Sequence, residues 1–146
     1  MEINACDACD ACQAKPYGGC IVEDDMQEIY PALQDAGAVV IASPVYWFTV
    51  TAQTKLFMDR CYARVDADAY SLSDKEIGII MTYGDSDPFN SGAINALRTF
   101  QDGFSYAGSK IVGMVYGSAS DPGEIKDNAV LMAEAYELGK KLGSSD

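Results

Sequence analysis

The chain has 146 residues, five cysteines, no histidine and a formal net charge of −12. That length suits one compact core, and 49% apolar with 22% charged residues is a globular rather than a disordered composition. The acidity argues against nucleic acid, whose phosphates need Lys and Arg, and the lack of histidine removes His-based triads and imidazole metal sites. No apolar run approaches the roughly 20 residues that span a bilayer, and Met1-Glu2-Ile3-Asn4 lacks the pattern of a signal peptide. The expected location is therefore the cytoplasm, away from membranes.

In chain order, the first residues read as a cysteine-rich loop. Asp24 then reads as a helix N-cap with Gln27 at the capping-box position, and Ile29, Leu33 and Ala36 face inward. Pro31 falls inside this pattern and should kink or split the helix. Residues 38–42 form an unbroken apolar run, as expected of a strand buried on both faces. A loop over 43–50 leads into a helix over 51–64 with Leu56, Phe57, Cys61 and Val65 on its apolar side. A second buried strand follows over 77–81, a helix over 91–106 and a third strand over 111–116. The last helix, over 122–142, has Asp121 as its cap and Pro122 in its first turn. This alternation predicts a single α/β layered domain over 1–146, with a cysteine-rich segment at 1–23, a core at 24–146 and a mostly parallel sheet.

Four cysteines form the run Cys6-x2-Cys9-x2-Cys12-x7-Cys20. An odd cysteine count without a signal peptide disfavours a disulfide framework. Four thiolates also satisfy zinc, although structural zinc sites usually take paired ligands from two separated knuckles. The short arcs of C-x2-C-x2-C reach different irons of a [4Fe–4S] centre, and the spacing favours that reading. Cys61 lies on the apolar face of a helix and reads as a buried small hydrophobe.

Directly after the first strand comes Ser43-Pro44-Val45-Tyr46-Trp47-Phe48. Open α/β sheets bind ligands at the carboxyl ends of their strands. Here proline fixes the backbone while aromatic and aliphatic side chains offer a flat surface, which suits a planar conjugated ring such as a flavin. Aromatic packing in a loop or subunit interface accounts equally well for these residues. At the end of the next strand, Thr82-Tyr83-Gly84-Asp85 would lie alongside, with Gly84 allowing close approach and the hydroxyls meeting ring heteroatoms.

The stretch from Cys9 to Met26, followed by Ser-Pro-Val-Tyr-Trp-Phe and Ala-Gln-Thr-Lys-Leu-Phe-Met-Asp-Arg, resembles the NAD(P)H-dependent FMN reductase-like proteins of the flavodoxin superfamily. With Cys6 it is most similar to their iron–sulfur flavoprotein branch. The resemblance implies a flavodoxin-like three-layer sandwich that binds FMN, with a [4Fe–4S] cluster held by Cys6, Cys9, Cys12 and Cys20. It places Ser43, Pro44, Val45, Tyr46, Trp47 and Phe48 along the isoalloxazine, and Thr82, Tyr83, Gly84 and Asp85 at its edge. The implied role is electron relay between flavin and cluster in a homo-oligomer. NAD(P)H would be the donor, and a redox protein or small molecule the acceptor. No catalytic residue is assigned, and Gln53 and Lys55 carry no role. Met1 falls where the family is already entering the cysteine segment. The expected fold therefore lacks the first strand, the phosphate loop at a helix N-terminus and the first helix. Two other functions stay open: a cluster-free NAD(P)H-dependent FMN or quinone reductase, and a non-catalytic iron–sulfur or zinc-binding module without FMN.

Overall fold

A computed structural model describes residues 1–144. The three apolar runs become the strands β1 (Ala38–Tyr46), β3 (Glu76–Tyr83) and β4 (Lys110–Ser118), with a two-residue β2 (Thr49–Val50) between the first two in sequence. The sheet order is β2-β1-β3-β4, with β1, β3 and β4 parallel and β2 antiparallel to the end of β1. Helices α1 (Met26–Asp35), α2 (Ala52–Arg60) and α3 (Ala93–Tyr106) supply Leu33, Phe57, Leu97 and Phe100 to a core that includes Ile41, Ile77, Ile79 and Met81. Helix α4 (Ala129–Gly143) covers the other face. It lies close because β-carbons at Gly78 and Gly113 would sit 2.7 Å from Leu142 Cδ1 and 2.9 Å from Leu138 Cδ1. The result is a flavodoxin-like three-layer α/β sandwich with a largely parallel sheet. Among the described residues, no helix is long and apolar enough to cross a membrane.

Strand β1 departs from the expectation of burial on both faces. Val40, Ala42 and Pro44 register with Gly78, Ile80 and Thr82, on the face that α4 covers. Helix α4 packs chiefly over β4 and β3, so Val40 stays 50% exposed and Ala42 is exposed with it. An apolar run shows that a strand avoids water on average, but not whether a helix lies over each face. Pro31 does not split α1, which runs unbroken and is anchored by buried Met26, Tyr30 and Leu33. Gln27 does not close a capping box. Its amide donates to the Cys20 and Val22 carbonyls, tying the cysteine segment to α1. The last helical stretch is divided into a 3-10 turn over Glu124–Asp127 and α4, whose cap is Asn128, with Oδ1 accepting from Leu131 N.

Candidate functional site

The carboxyl rim of the sheet is built mainly by strand ends rather than by the loop expected over 43–50. Strand β1 runs through Tyr46, turns at Trp47 and Phe48, and returns as β2 with Val45 opposite Val50 and Tyr46 opposite Thr49. Trp47 and Phe48 have φ of 46° and 68°, the left-handed pair of a two-residue type I′ hairpin. Asn and Gly usually occupy such positions, because bulky side chains there cost about 1–3 kcal/mol each. The turn is held from outside by the start of α3. Gly92 lies against the Phe48 backbone, and Asn95 Nδ2 donates to the Phe48 carbonyl at 3.2 Å. Trp47 is left 91% exposed, with its ring edge-on to Phe48 at 5.9 Å.

Beside this turn lies a cradle of about 490 Å³. Pro44, Val45, Tyr46, Thr82, Tyr83 and Gly84 form two of its sides. The third side, residues 119–123 with Ile125, follows β4. The parallel register explains the convergence, since Pro44 lies opposite Thr82, and Thr82 opposite Gly117. Ala119 N donates to the Tyr83 carbonyl at 2.8 Å and Ser120 Oγ to the Gly84 carbonyl at 3.2 Å, fixing the third loop against the second. Sequence reasoning missed that third side. Its signal was the same rule about strand ends, applied to Ser-Ala-Ser-Asp-Pro-Gly after the last strand.

Four expected ring-contact residues do not line the cradle. Ser43 is buried and its hydroxyl donates to the Pro44 carbonyl at 2.8 Å. Trp47 and Phe48 stand at the rim, and Asp85 turns its carboxylate to Ser86 N at 2.6 Å. Burial raises the Tyr83 phenol above its ordinary pKa, so it remains a donor at neutral pH. Glu124 is held below its ordinary value by backbone N–H bonds from Asp121 and Ser120, keeping a negative charge beside the third loop.

The residues present fit the ring of a flavin. Pro44, Val45, Tyr46 and Ile125 give apolar surface, while the Thr82 and Tyr83 hydroxyls give polar edges. They do not supply a phosphate seat. No lysine or arginine lines the cradle, and the N–H groups of Ser120 and Asp121 are already taken by Glu124.

The cysteine segment corrects the expected [4Fe–4S] centre and the zinc alternative. Among the described residues, no group of three or more His, Cys, Asp or Glu comes together that could hold a metal ion. Cys6, Cys9, Cys12 and Cys20 border a common hollow of only about 20 Å³, little more than one water needs. Cys12 and Cys20 are half-buried against Met26, Tyr30 and Ala63, whereas Cys6 and Cys9 are exposed. The backbone of this segment visits left-handed φ at Ala8 and Asp10. Spacing showed what the arcs can reach, but apolar anchoring of two thiols and solvent exposure of the other two decide where they point.

Cys61 is buried as expected, at 5% exposure, and burial pushes its thiol up to about 12. Alkylation of native protein with iodoacetamide at neutral pH should therefore label Cys6 and Cys9 first and leave Cys61 unlabelled until denaturant is added. Peptide mass spectrometry reads the order, and early labelling of Cys61 would contradict its placement.

Residues 2–121 match the family model of the NADPH-dependent FMN reductases. An iron–sulfur flavoprotein of Archaeoglobus fulgidus is 34% identical over 99% of this chain and 61% of its own length. One of Methanosarcina thermophila is 30% identical over 97% of this chain and 71% of its own. Among solved structures, the Trp repressor binding protein of Bacillus subtilis superposes with a TM-score of 0.68 at 26% identity, covering 80% of this chain and 71% of that one. The chain thus spans less than two thirds of the Archaeoglobus relative. With this match and the shared sandwich, the chain belongs to the NADPH-dependent FMN reductase family, in the iron–sulfur flavoprotein branch of the flavodoxin superfamily.

Proposed function

We propose that the chain is an FMN-dependent oxidoreductase of the cluster-free kind, passing reducing equivalents from NAD(P)H to a flavin or quinone acceptor. The observation that carries this reading is the cradle spanning three parallel strand ends beside a strained, exposed aromatic turn. FMN, when bound, supplies hydride acceptance and electron delivery. The protein's part is to hold the ring. Tyr46 and Val45 would cover one face of the ring, Thr82 and Tyr83 would address its heteroatoms, and Gly84 would let the backbone approach. No side chain is assigned a proton-transfer role. The iron–sulfur part of the relatives' names is not carried to this chain, whose cysteines form no metal-holding group among the described residues. The exposed Tyr46, Trp47, Phe48 and Phe89 favour a single-domain homo-oligomer that covers this rim.

The test is a titration followed by flavin emission, with NADPH oxidation measured on the loaded protein. FMN should bind saturably, and Tyr46→Ala should weaken it about tenfold through lost stacking. Because no cation lines the cradle, riboflavin should bind within about threefold of FMN. Absence of saturable flavin binding would remove the proposal.

A further inference from the structure

At the other end of the sheet lies a second cavity, of about 440 Å³, between the carboxyl-terminal turns of α2 and α3. Both helices run antiparallel to the strands, so this cavity sits at the strands' amino-terminal ends, away from the cradle. Leu72 and Phe104 are buried in its floor and Met58 borders it. Its wall includes the rings of Tyr62, Tyr70 and Tyr106, each neighbouring pair 5.8 Å apart, the first stacked at 29° and the second tilted at 39°. Arg64 pins the middle ring, with its guanidinium carbon 4.6 Å from the Tyr70 centroid. Tyr62 and Tyr106 stay exposed, an unusual cost for two aromatic side chains on one small surface.

We infer that this cavity is a binding site for a neutral, planar, fused-ring molecule with a carbonyl edge. The volume falls in the range of small-molecule pockets, about 300–1,000 Å³. Met58, Leu72, Phe104 and Ala107 make much of the lining apolar, so an apolar ring displaces water from it favourably. The tyrosine faces offer stacking, and a phenol O–H is a hydrogen-bond donor, which calls for acceptors on the ligand. The net charge of −12 disfavours anions. The inference is independent of the flavin reading, because the two cavities share no lining residue.

Gly103 gives the means to test it. It lies on α3, and a β-carbon there meets only Met58 Cε, at 3.4 Å. A leucine would thus fill the cavity while improving helix propensity. Coumarin, a neutral bicyclic carbonyl compound, is the probe, titrated calorimetrically into the full chain. We expect saturable one-to-one binding, weakened at least about tenfold by Gly103→Leu and about threefold by Tyr106→Ala. The Gly103→Leu chain should keep its cooperative melt and its FMN titration. No saturable coumarin binding, equal binding to Gly103→Leu, or competition with FMN would overturn the inference. So would a wild-type dimer that Gly103→Leu dissociates, since the cavity would then be an interface between copies.

Discussion

Replacing Arg60 by alanine should destabilise the protein by about 3–5 kcal/mol, the usual cost of removing one partner from a buried ion pair. The Arg60 and Asp24 side chains are 0% and 2% exposed and are bonded to each other. Arg60 also donates to the Asn4 carbonyl at 3.1 Å and the Val22 carbonyl at 3.3 Å. Asp24 accepts from Asn4 N at 2.8 Å and Met26 N at 3.0 Å. This one pair therefore fastens the cysteine segment to both α1 and α2. Alanine leaves a buried carboxylate with its two N–H partners and no cation.

The pH dependence separates this account from a simple packing loss. In the wild type, the Arg60 hydrogen bond holds Asp24 below its ordinary pKa against the opposing effect of burial. A depressed folded pKa gives stability that is present above the unfolded value, about 3.9, and is lost as pH falls through the folded one. Without Arg60 the largest pKa-lowering contact is gone and only the Asn4 and Met26 N–H bonds oppose burial, so the variant should lose less stability than the wild type on acidification toward about pH 4. Urea melts at neutral pH and at about pH 4 should show the gap between the two proteins narrowing. A gap below about 1 kcal/mol at neutral pH would mean the pair contributes little more than a surface bridge. Iodoacetamide labelling supplies a second reading: Cys12 and Cys20 should become as reactive as Cys6 and Cys9, while Cys61 stays protected.

Arg60 also shows what the sequence made legible and what it did not. The strands and most helices could be read because burial on a repeating geometry leaves a repeating pattern, as at Ile77, Ile79 and Met81 facing α3. Cys61 was legible for the same reason. Arg60 sits next to it in sequence, but nothing local says that its guanidinium meets Asp24, 36 positions away. The cysteine run failed similarly, because spacing encodes reach and convergence depends on the tertiary packing of Met26 and Tyr30. For the cradle, the rule about strand ends found two sides and would have found the third. Of residues 43–48 only Pro44, Val45 and Tyr46 line the cradle, for another reason. Trp and Phe carry no signal of a hairpin turn, since the positive φ they adopt is imposed by α3 rather than preferred by them.

That imposed turn gives the second large effect. Gly92→Ala should cost about 2–4 kcal/mol, combining strain at a positive φ with overpacking. Gly92 has φ of 79°, and its β-carbon would fall 2.5 Å from the Phe48 carbonyl oxygen and 2.6 Å from Phe48 Cβ. The obstacle is largely backbone, so no rotamer change relieves it. Either α3 withdraws or the Trp47–Phe48 turn moves, and Tyr46 moves with it away from the cradle. Flavin affinity should then fall at least as far as in Tyr46→Ala, about tenfold. Asn95→Ala removes only the 3.2 Å bond to the Phe48 carbonyl and should cost about 1 kcal/mol. Gly92→Asn distinguishes the two causes, because asparagine tolerates a left-handed φ but still carries a β-carbon. If collision dominates, it should be nearly as damaging as alanine in both urea melts and flavin titration. A Gly92→Asn chain with wild-type stability and affinity would show that φ alone mattered and that the turn is not held by contact with α3. The strain at Trp47 and Phe48 would then need another source of restraint, since two bulky residues do not keep that geometry unaided.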